Sequence, residues 1–433
     1  MIDSFRLFII TFFSGIALEG QAKIIYMATT GNDGNPGTIE QPLASFKKAY
    51  SLLNPGDTIY IRGGIYKITP EQVMNDTDPI YTDVFYLDKE GTPEKPLAIM
   101  GFPREKVVFD LKEIRPAKRV TAFCVKGDFH HFNNFEVTHT QVTQTGHTQS
   151  ECFRNDGGSF NIYENLKMHD SMGVGFYLTA GGHNLIVNCD VYDIDDKVSE
   201  AGRNENTDGF GCHPRHVSDT CNVFRGCRAW NCGDDGFDLI NAMAPVTIEY
   251  CWAITNGYKA DGSRSGGNGN GFKAGGYGMG IIKKIPDTIP QHIIRHCLSY
   301  GNLAHGFYAN HHLGGILFLN NTAYGNAQNY DMTNRASASK ATDVPGYGHI
   351  LKNNVSFNPR YANGTITNVN PTACVISNNT FLSDYQVRAQ DFKSLDTRAL
   401  TNDRGKDGHL PHTDFMAPEE DNLLFQHQMG YTF

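Results

Sequence analysis

A Gly-Phe pair recurs through the middle of this chain, and it constrains the fold more than any other feature. Five copies end at Phe176, Phe210, Phe237, Phe272 and Phe307, with spacings of 34, 27, 35 and 35 residues. Repeats of this length are typical of solenoids, in which one supersecondary unit stacks on the next. Residues at equal distances from each Phe are therefore expected to align vertically in the folded protein.

A second set of anchor positions indicates the length of one repeat. The anchors are Asn or Cys residues that follow a β-like run: Asn134, Asn165, Cys189, Cys227, Cys251, Cys297, Asn321, Asn354 and Asn379. Their shortest spacing, 24 residues, occurs three times. A unit of 24 residues has room for three short strands and their turns, which is one coil of a parallel β-helix. The 45 glycines and the charged content of only 19% also favour a β-rich chain with tight turns over long helices.

The N-terminus has the pattern of a secretory signal, residues 1–22. Arg6 precedes an apolar run from Leu7 to Leu18, and Gly20 and Ala22 are small residues at the two positions that a signal peptidase reads. The apolar run is short for a membrane span, and no other stretch approaches ~20 apolar residues. We therefore expect cleavage near Ala22, a secreted or periplasmic protein, and no membrane span in the mature chain.

The mature chain, residues 23–433, is expected to be a single all-β solenoid domain and a monomer. Ser45 can N-cap a short helix that ends at Leu53 and covers the first coils. Regular coils are expected to begin near His130. The domain would divide into an N-terminal cap with early coils, regular coils, and an irregular tail with a short helix packed over the last coils: residues 23–120, 121–384 and 385–433.

The net charge and the long spacings between anchors bear on partners. A formal net charge of −9 argues against nucleic acid, because phosphate backbones are held by clustered Lys and Arg. The longest spacings place loops on both sides of the Gly-Phe copies at Phe210 to Phe272. These loops contain cations that would attract a polyanion locally: Lys197, Arg203, Lys259 and Arg264.

Two further patterns predict how the coils are held together. Four of the ten cysteines share one repeat position, which favours stacked buried thiols, although strands ~4.8 Å apart are within disulfide reach. The four are Cys189, Cys227, Cys251 and Cys297. Asparagines follow the later anchors by four or five places and are expected to form a hydrogen-bonded ladder through the turns. They are Asn231, Asn256, Asn302, Asn326 and Asn358.

Acidic residues and one lysine lie in register with the Gly-Phe repeat. Asp208 and Asp235 are both two positions before a Phe, Asp234 is adjacent, and Asp238 and Lys273 are both one position after. Carboxylates one coil apart can share one ion, since calcium takes six to eight oxygens at ~2.3–2.6 Å. Four hard oxygen donors with no Cys or His in register favour calcium over zinc. Without a cation, such closely spaced carboxylates would repel one another.

Lys273 has two interpretations at this stage. Aligned with Asp238 one coil away, it could form a cross-strand salt bridge worth about 0.2–1 kcal/mol. If a metal occupied the aspartates, the pKa of the lysine would fall toward that of a neutral amine able to remove a proton α to a carboxylate. The sequence geometry alone leaves both open.

The order Asp208, Asp234-Asp235-Gly-Phe-Asp238 and Asn270-Gly-Phe-Lys273 resembles polysaccharide lyase family 9, which includes pectate lyases and rhamnogalacturonan lyases. The resemblance implies a right-handed parallel β-helix, calcium held by the four aspartates, and Lys273 as the Brønsted base. It also implies β-elimination at a 4-linked galacturonate of pectin, with a 4,5-unsaturated uronate as product. Asn310 and His311, one Gly-Phe copy downstream, are candidates for sugar contacts together with Arg203, Lys259 and Arg264.

Two other functions remain open. The paired acids also resemble those of polygalacturonases, which are β-helical hydrolases. Those enzymes carry a Gly-His-Gly segment about one coil later, where this chain has Asn256-Gly257-Tyr258. A non-catalytic carbohydrate-binding solenoid would leave the acids and the lysine out of register. The sequence separates neither homogalacturonan from rhamnogalacturonan I nor endo from exo action, and it does not identify the group that protonates the leaving oxygen.

Overall fold

The structure is a computed structural model that describes residues 22–200, 202–278, 280, 282 and 284–431. The predicted signal, residues 1–22, falls almost wholly outside these residues. None of the described helices is long and apolar enough to cross a membrane.

Short strands make up most of the regular structure. In chain order they are β1 (Ile24–Met27), β2 (Thr58–Ile61), β3 (Gly64–Lys67), β4 (Tyr81–Leu87), β5 (Leu97–Gly101), β6 (Val107–Asp110), β7 (Arg119–Val125), β8 (His130–Asn133), β9 (Glu136–Thr138), β10 (Glu151–Asp156), β11 (Ile162–Glu164), β12 (Lys167–Ser171), β13 (Val174–Ala180), β14 (Leu185–Val187), β15 (Asp190–Ile194), β16 (Phe210–Cys212), β17 (Asn222–Arg225), β18 (Arg228–Cys232), β19 (Phe237–Asp238), β20 (Val246–Glu249), β21 (Trp252–Ile254), β22 (Phe272–Lys273), β23 (Ile293–Arg295), β24 (Leu298–Tyr300), β25 (His305–Tyr308), β26 (Leu317–Leu319), β27 (Thr322–Tyr324), β28 (Gln328–Asp331), β29 (Asn334–Ser337), β30 (Lys340–Val344), β31 (Ile350–Lys352), β32 (Val355–Phe357) and β33 (Val375–Ser377). The α-helices are α1 (Phe46–Leu52) and α2 (Leu423–Gln426), and the 3-10 helices are Pro70–Gln72, Pro371–Ala373 and Ala389–Asp391.

Three parallel sheets run the length of the molecule, and the chain visits them in rotation. The twelve-stranded sheet has the order β1-β2-β5-β8-β11-β14-β17-β20-β23-β26-β31-β33. The ten-stranded sheet is β3-β6-β9-β12-β15-β18-β21-β24-β27-β32, and the nine-stranded sheet is β4-β7-β10-β13-β16-β19-β22-β25-β28. This is the predicted parallel β-helix. Its parallel pairing is already regular at β1 and β2, so stacking starts much earlier than His130.

The Gly-Phe repeat forms the inner face of the nine-stranded sheet. Its Phe rings point inward and stack: the ring centroids are 4.9 Å apart for Phe210–Phe237, Phe237–Phe272 and Phe272–Phe307. Each of these rings is at most 1% exposed. A stack of buried aromatics fixes the register of successive strands, since a slip of one residue would turn each ring outward.

The glycine of each pair is required by close approach to the next coil. A Cβ at Gly209 would lie 2.6 Å from the Cβ of Ala229, and one at Gly271 would lie 2.4 Å from the Ser299 hydroxyl oxygen. No real Cβ sits that close to a neighbour, so glycine allows the strand to enter the sheet here. The repeat is therefore a packing unit of one small residue and one large residue.

The predicted thiol stack and part of the predicted asparagine ladder are present. All ten cysteines are free, and the four repeat cysteines are fully buried, which confirms free thiols over disulfides. Asn256, Asn302 and Asn326 form a ladder in which each side-chain oxygen accepts from the amide one coil below. Asn231 and Asn358 were wrongly placed in that ladder. They have φ angles of 51° and 44° and form left-handed turns instead.

Two segments outside the regular coils were predicted, a short N-terminal helix and a C-terminal tail. Ser45 N-caps α1 through a hydrogen bond from the Lys48 backbone amide to its side chain. The C-terminal tail was predicted to cover only the last coils, but it extends further. It runs back over the outer side of the ten-stranded sheet, where its residues Phe415, Leu424 and Tyr431 pack in one hydrophobic cluster with Trp252.

A buried ion cluster attaches this tail to the middle of the solenoid. The Asp190 carboxylate accepts from Arg228 at 2.9 and 2.8 Å and from Arg404 of the tail at 2.6 Å. Arg228 also donates to the carbonyls of Leu400 and Asn402. The Asp190 and Arg228 side chains are each only 1% exposed. Burial raises the pKa of Asp190, but Arg404 and Arg228 outweigh burial and bring it below the ordinary carboxyl value.

Asp190→Ala is therefore expected to destabilise the protein by about 3–5 kcal/mol, because it leaves two buried guanidinium groups unpaired. Urea unfolding measures this loss, and Asp403→Ala, at a carboxylate that is 96% exposed, is the matched control. The lowered pKa means that the difference persists at neutral pH and disappears as the pH falls through the folded-state value. An equal unfolding midpoint for both variants would show that the tail is held by its apolar contacts alone.

Candidate active site

One row of outward-facing residues crosses the nine-stranded sheet and contains the predicted base. Strand register aligns Tyr86, Cys124, Arg154, Tyr177, Gly211, Asp238, Lys273, Tyr308 and Asp331 in that order. Asp238 and Lys273 are therefore neighbours on adjacent strands, as their shared distance from the Phe predicts. The row runs parallel to the solenoid axis, so an extended polymer could lie along it.

A second row, two positions before each Phe, is joined by hydrogen bonds. The Asp208 Oδ1 accepts from the Asp235 backbone amide at 3.1 Å, and the Asp235 Oδ1 accepts from the Asn270 amide at 2.8 Å. The Asn270 Oδ1 in turn accepts from the His305 amide at 3.2 Å. Each side chain thus closes the turn of the following coil with one oxygen. The second oxygens of the two aspartates are left for other partners.

Three of the predicted metal ligands come together. One carboxylate oxygen each from Asp208, Asp234 and Asp235 lies within 4.8 Å of the others. The residues are 7%, 2% and 0% exposed, respectively. Asp234 is oriented by the Asn268 backbone amide, which donates to its Oδ1 at 2.6 Å. Oxygens at such separations can share a calcium ion, whose ligands lie at ~2.3–2.6 Å.

The electrostatics of the cluster also fit a bound cation. Burial raises the pKa of Asp208 well above its ordinary value, and the nearby carboxylates of Asp234, Asp238 and Asp235 raise it further. Burial and Asp235 likewise raise the pKa of Asp234 well above its ordinary value. Carboxylates that resist ionisation for these reasons are stabilised when a divalent cation neutralises them. The donor set of hard oxygens therefore fits calcium.

Lys273 lies at the edge of this cluster. Its Nζ is 3.0 Å from the Asp238 Oδ2 and 3.1 Å from the Asp235 Oδ2, and its side chain is 12% exposed. Burial lowers the pKa of Lys273, but Asp238, Asp235, Asp234 and Asp208 outweigh burial and raise it well above the ordinary value. The amine is therefore held as an ammonium for as long as the aspartates carry uncompensated charge.

Asp238, the fourth predicted ligand, faces the lysine in this structure. Its Oδ2 accepts from Lys273, and its Oδ1 accepts from the Ile240 backbone amide at 2.7 Å. It lies outside the three-carboxylate group. Its role as a metal ligand stays a prediction.

Three of the predicted sugar-contact residues lie on loops beside the nine-stranded sheet. Arg203 and Arg264 are exposed on the two loops, and the Arg203 side chain donates to the Ser199 carbonyl. Lys259 pairs with Asp195 at 3.3 Å and lines a cavity of about 550 Å³ whose other walls include residues at the ends of β12 and β15. These three residues lie on loops and not in the outward-facing row, and their contact with a sugar stays a prediction.

Asn310 and His311 lie close to the base, in turns with positive φ angles. The Asn310 amide donates to the Gly275 carbonyl at 2.6 Å and so supports the turn that follows Lys273. His311 bonds the Tyr308 hydroxyl through Nε2 at 2.8 Å and the Asp343 carboxylate through Nδ1 at 2.6 Å. In the tautomer whose Nδ1 proton is accepted by the carboxylate, Nε2 accepts from the Tyr308 hydroxyl.

Sequence reasoning missed three residues of the site. Asn270 supports Asp235 with its side-chain amide as well, at 2.8 Å. Tyr308 is the register neighbour of Lys273 on β25. His213 lies with its Nε2 3.8 Å from the Asp238 Oδ1, and its Nδ1 is hydrogen-bonded to the Tyr177 hydroxyl at 3.1 Å. Asn270 and Tyr308 could have been found, because they share repeat positions with Asp235 and Lys273.

Several known proteins are similar to this chain in sequence. The family model "Pel9A-like, right handed beta helix region" matches residues 25–342. Pectate lyase L of Dickeya dadantii (strain 3937) is 31% identical over 404 residues, covering 92% of this chain and 84% of that protein. Pectate lyase PEL9 of Emericella nidulans is 27% identical over 421 residues, covering 92% and 93%.

Two solved structures superpose over nearly the whole chain. A rhamnogalacturonan lyase matches with a TM-score of 0.90 and 44% identity, covering 94% of this chain and 99% of that one. Pectate lyase Pel9A matches with a TM-score of 0.73 and 29% identity, covering 93% and 91%. The family description also confirms the predicted right-handed coil. The chain therefore belongs to the Pel9A-like right-handed β-helix family, polysaccharide lyase family 9, and is a polysaccharide lyase.

Proposed function

We propose that this protein cleaves pectic polysaccharides by calcium-dependent β-elimination at a 4-linked galacturonate. The observation that carries the proposal is the position of the Lys273 amine, 3.0 and 3.1 Å from two aspartates at the edge of a buried carboxylate cluster. Relatives named pectate lyase and rhamnogalacturonan lyase support this substrate class. Homogalacturonan and rhamnogalacturonan I both contain the 4-linked galacturonate that the reaction requires.

Asp208, Asp234 and Asp235 would hold the calcium, with Asp238 as the fourth ligand. Bound there, calcium supplies positive charge that binds the C6 carboxylate, makes the C5 proton more acidic and offsets the aspartates that keep Lys273 protonated. Asn270 and the Asn268 backbone amide hold two of the carboxylates in place without adding charge. The rigid backbone of stacked strands keeps these groups at fixed separations.

The protein's own chemical step is a proton transfer to the Lys273 Nζ. The neutral amine takes the C5 proton, the C5–H electron pair forms the C4–C5 double bond, and the C4–O4 bond breaks with its electrons on O4. The departing O4 takes a proton from water. In galacturonate the C5 hydrogen and O4 are on opposite faces of the ring, so the leaving oxygen points away from the sheet that carries Lys273. Water therefore reaches O4 from the open side of the groove.

Product analysis tests this proposal. Purified homogalacturonan and rhamnogalacturonan I are each incubated with the protein in calcium and in EDTA. We expect ultraviolet absorbance from the unsaturated uronate to rise with calcium and not with EDTA. Reducing ends without absorbance would show a hydrolase that uses the paired aspartates. An unchanged polymer would show a binding protein without activity.

We also infer that the protein acts outside the cytoplasm. Arg6 and the apolar run after it form a signal-like segment, and pectic polymers are too large to enter a cell intact. N-terminal sequencing of the protein from the culture supernatant or the periplasmic fraction tests this inference. Cleavage near Ala22 is the expected result.

A further inference from the structure

A cluster of three cations lies at the N-terminal side of the nine-stranded sheet, and one of them is in the row that contains the base. Lys126, Arg154 and Arg215 all converge on one carboxylate, that of Asp156. The Lys126 Nζ is 2.5 Å from it, an Arg154 guanidinium nitrogen is 3.6 Å away, and Arg215 donates to it directly. We call these three cations and Asp156 the distal basic cluster. One carboxylate cannot neutralise three cations, so the cluster carries excess positive charge.

Nearby acids do not remove this excess at neutral pH. Burial raises the pKa of Asp156, but Lys126 and Arg154 outweigh burial and bring it to about 2. Asp156 is therefore ionised at neutral pH and supplies one negative charge against the three cations.

Asp78, Asp83 and Glu151 also interact with Arg154. Asp78, whose pKa is lowered by hydrogen bonds from the Ile80 and Tyr81 amides, adds one negative charge, whereas burial raises the pKa of Asp83. Burial also raises the pKa of Glu151 to about 7. Glu151 is therefore only partly ionised at neutral pH. Arg119, which donates to the Tyr81 hydroxyl at 3.2 Å, adds a further cation.

The cations of the cluster are accessible to a ligand as well as paired with Asp156. The Arg215 and Lys126 side chains are 54% and 37% exposed. Arg154 lies against the Tyr81 ring, with its guanidinium carbon 4.2 Å from the ring centroid. Its Nε is buried and has no hydrogen-bond partner among the described residues. A guanidinium that lies over an aromatic ring and is not fully hydrogen-bonded within the protein is a preorganised receptor for a carboxylate.

One member of the cluster, Arg154, lies in the same row as Lys273. Arg154 on β10 is separated from Lys273 on β22 by β13, β16 and β19, which makes four interstrand spacings, or about 19 Å. The intervening strands contribute Tyr177, Gly211 and Asp238 to the row. A Cβ at Gly211 would lie 2.7 Å from the Tyr177 ring, so the ring lies directly against the Gly211 backbone between the two sites. One sugar of an extended polymer is about as long as one such spacing.

We propose that the distal basic cluster is a second uronate subsite, which binds the carboxylate of a sugar about four positions from the one that loses its proton. This inference rests on the proposed function, because it places the polymer along the row that contains Lys273. It implies that the enzyme binds the interior of long chains and needs several sugars on that side of the cut. Tyr177 and His213 then border the sugars between the two sites.

Chain-length dependence in cation variants tests the subsite. The probes are galacturonate oligomers of defined length, assayed with calcium by the absorbance of the unsaturated product. For the wild type, kcat/KM is expected to rise steeply once the oligomer is long enough to span both sites. For Arg154→Met and Arg215→Met, the ratio of kcat/KM for long over short oligomers is expected to fall about tenfold or more, through KM, since charge-assisted hydrogen bonds are lost.

The controls separate this inference from the proposed function. Arg398→Met, at an arginine that is 90% exposed on the tail, should keep the wild-type ratio. Arg154→Lys, which retains the charge without the planar fork, should lie between the wild type and Arg154→Met. Arg215→Met keeps the test available if Arg154→Met does not fold. Calorimetric binding of a long oligomer to Lys273→Met, with and without Arg215→Met, measures the subsite without any turnover.

The outcomes are distinct. A wild type that cleaves pectic polymers, with an unchanged length ratio and unchanged oligomer binding in both methionine variants, overturns the subsite and leaves the proposed function intact. A wild type that produces no unsaturated uronate from these oligomers, from homogalacturonan or from rhamnogalacturonan I overturns the proposed function itself. Weaker long-oligomer binding in the Lys273→Met, Arg215→Met double variant supports the subsite even then.

Discussion

Lys273→Met is expected to lower kcat on pectic polymers by about 10²- to 10⁴-fold, the range that general base catalysis contributes. Methionine has a similar length and cannot accept the C5 proton. The initial rate of absorbance increase at saturating calcium measures the loss. Lys352→Met, on an exposed lysine of β31, is the matched control and should keep the wild-type rate. Full activity in Lys273→Met would rule out the lysine as the base.

Lys273→Arg separates the base from the simpler salt-bridge role. An arginine at this position still pairs with Asp235 and Asp238, but its guanidinium remains protonated at any working pH. If Lys273 served only to pair these aspartates, the arginine variant would keep its activity. We expect it to melt close to the wild-type temperature and yet to be as inactive as Lys273→Met. The comparison matters because the ion pair in the structure, taken alone, is compatible with either role.

The fold and the core of the site were accessible from the sequence because both follow from one register. A parallel coil repeats the direction of each side chain, so the inward stack of Phe210, Phe237 and Phe272 fixes the outward positions beside it. Once these rings are aligned, Asp238 and Lys273 must be neighbours. No knowledge of loops or turns was needed for this step.

Residues outside that register were not predictable in the same way. His311 meets Asp343, 32 residues later, only because Asp343 lies on β30 of the β29–β30 hairpin, a short antiparallel addition to the solenoid. Lys259 lies on a loop between repeats, and its contact with Asp195 does not follow from the repeat register. In the distal basic cluster, Arg154 follows the strand register, but Lys126, Asp156 and Arg215 lie at or beyond strand ends, where the repeat pattern no longer fixes side-chain direction.

The tail shows the same limit on a larger scale. Its attachment includes the ion pair of Arg404 with Asp190, a contact between residues 214 positions apart. Asp190 is itself in a strand, but nothing in the tail repeats, so no register argument connects the two. The sequence therefore predicts an irregular covering segment without predicting which face of the solenoid it covers.

Asp208→Asn is expected to have a melting temperature at or above that of the wild type in EDTA and below it in calcium. In EDTA the substitution removes one of several buried carboxylates that raise each other's pKa, so the variant should melt at or above the wild-type temperature. The asparagine carbonyl can still accept from the Asp235 amide, so the hydrogen bond that closes the turn is preserved. In calcium, the order of the two melting temperatures should invert.

This inversion arises because a ligand that binds only the folded state stabilises it by mass action. At a calcium concentration about 100 times its dissociation constant, the wild type should gain about 2.7 kcal/mol. The variant has lost one charged ligand and should gain far less at the same concentration, together with a matching loss of activity. Thermal unfolding in EDTA and across a calcium titration measures both effects, with Asp403→Asn as the exposed control. Equal calcium responses in the wild type and in Asp208→Asn would place the ion elsewhere, and the four aspartates would then need another explanation for their shared register.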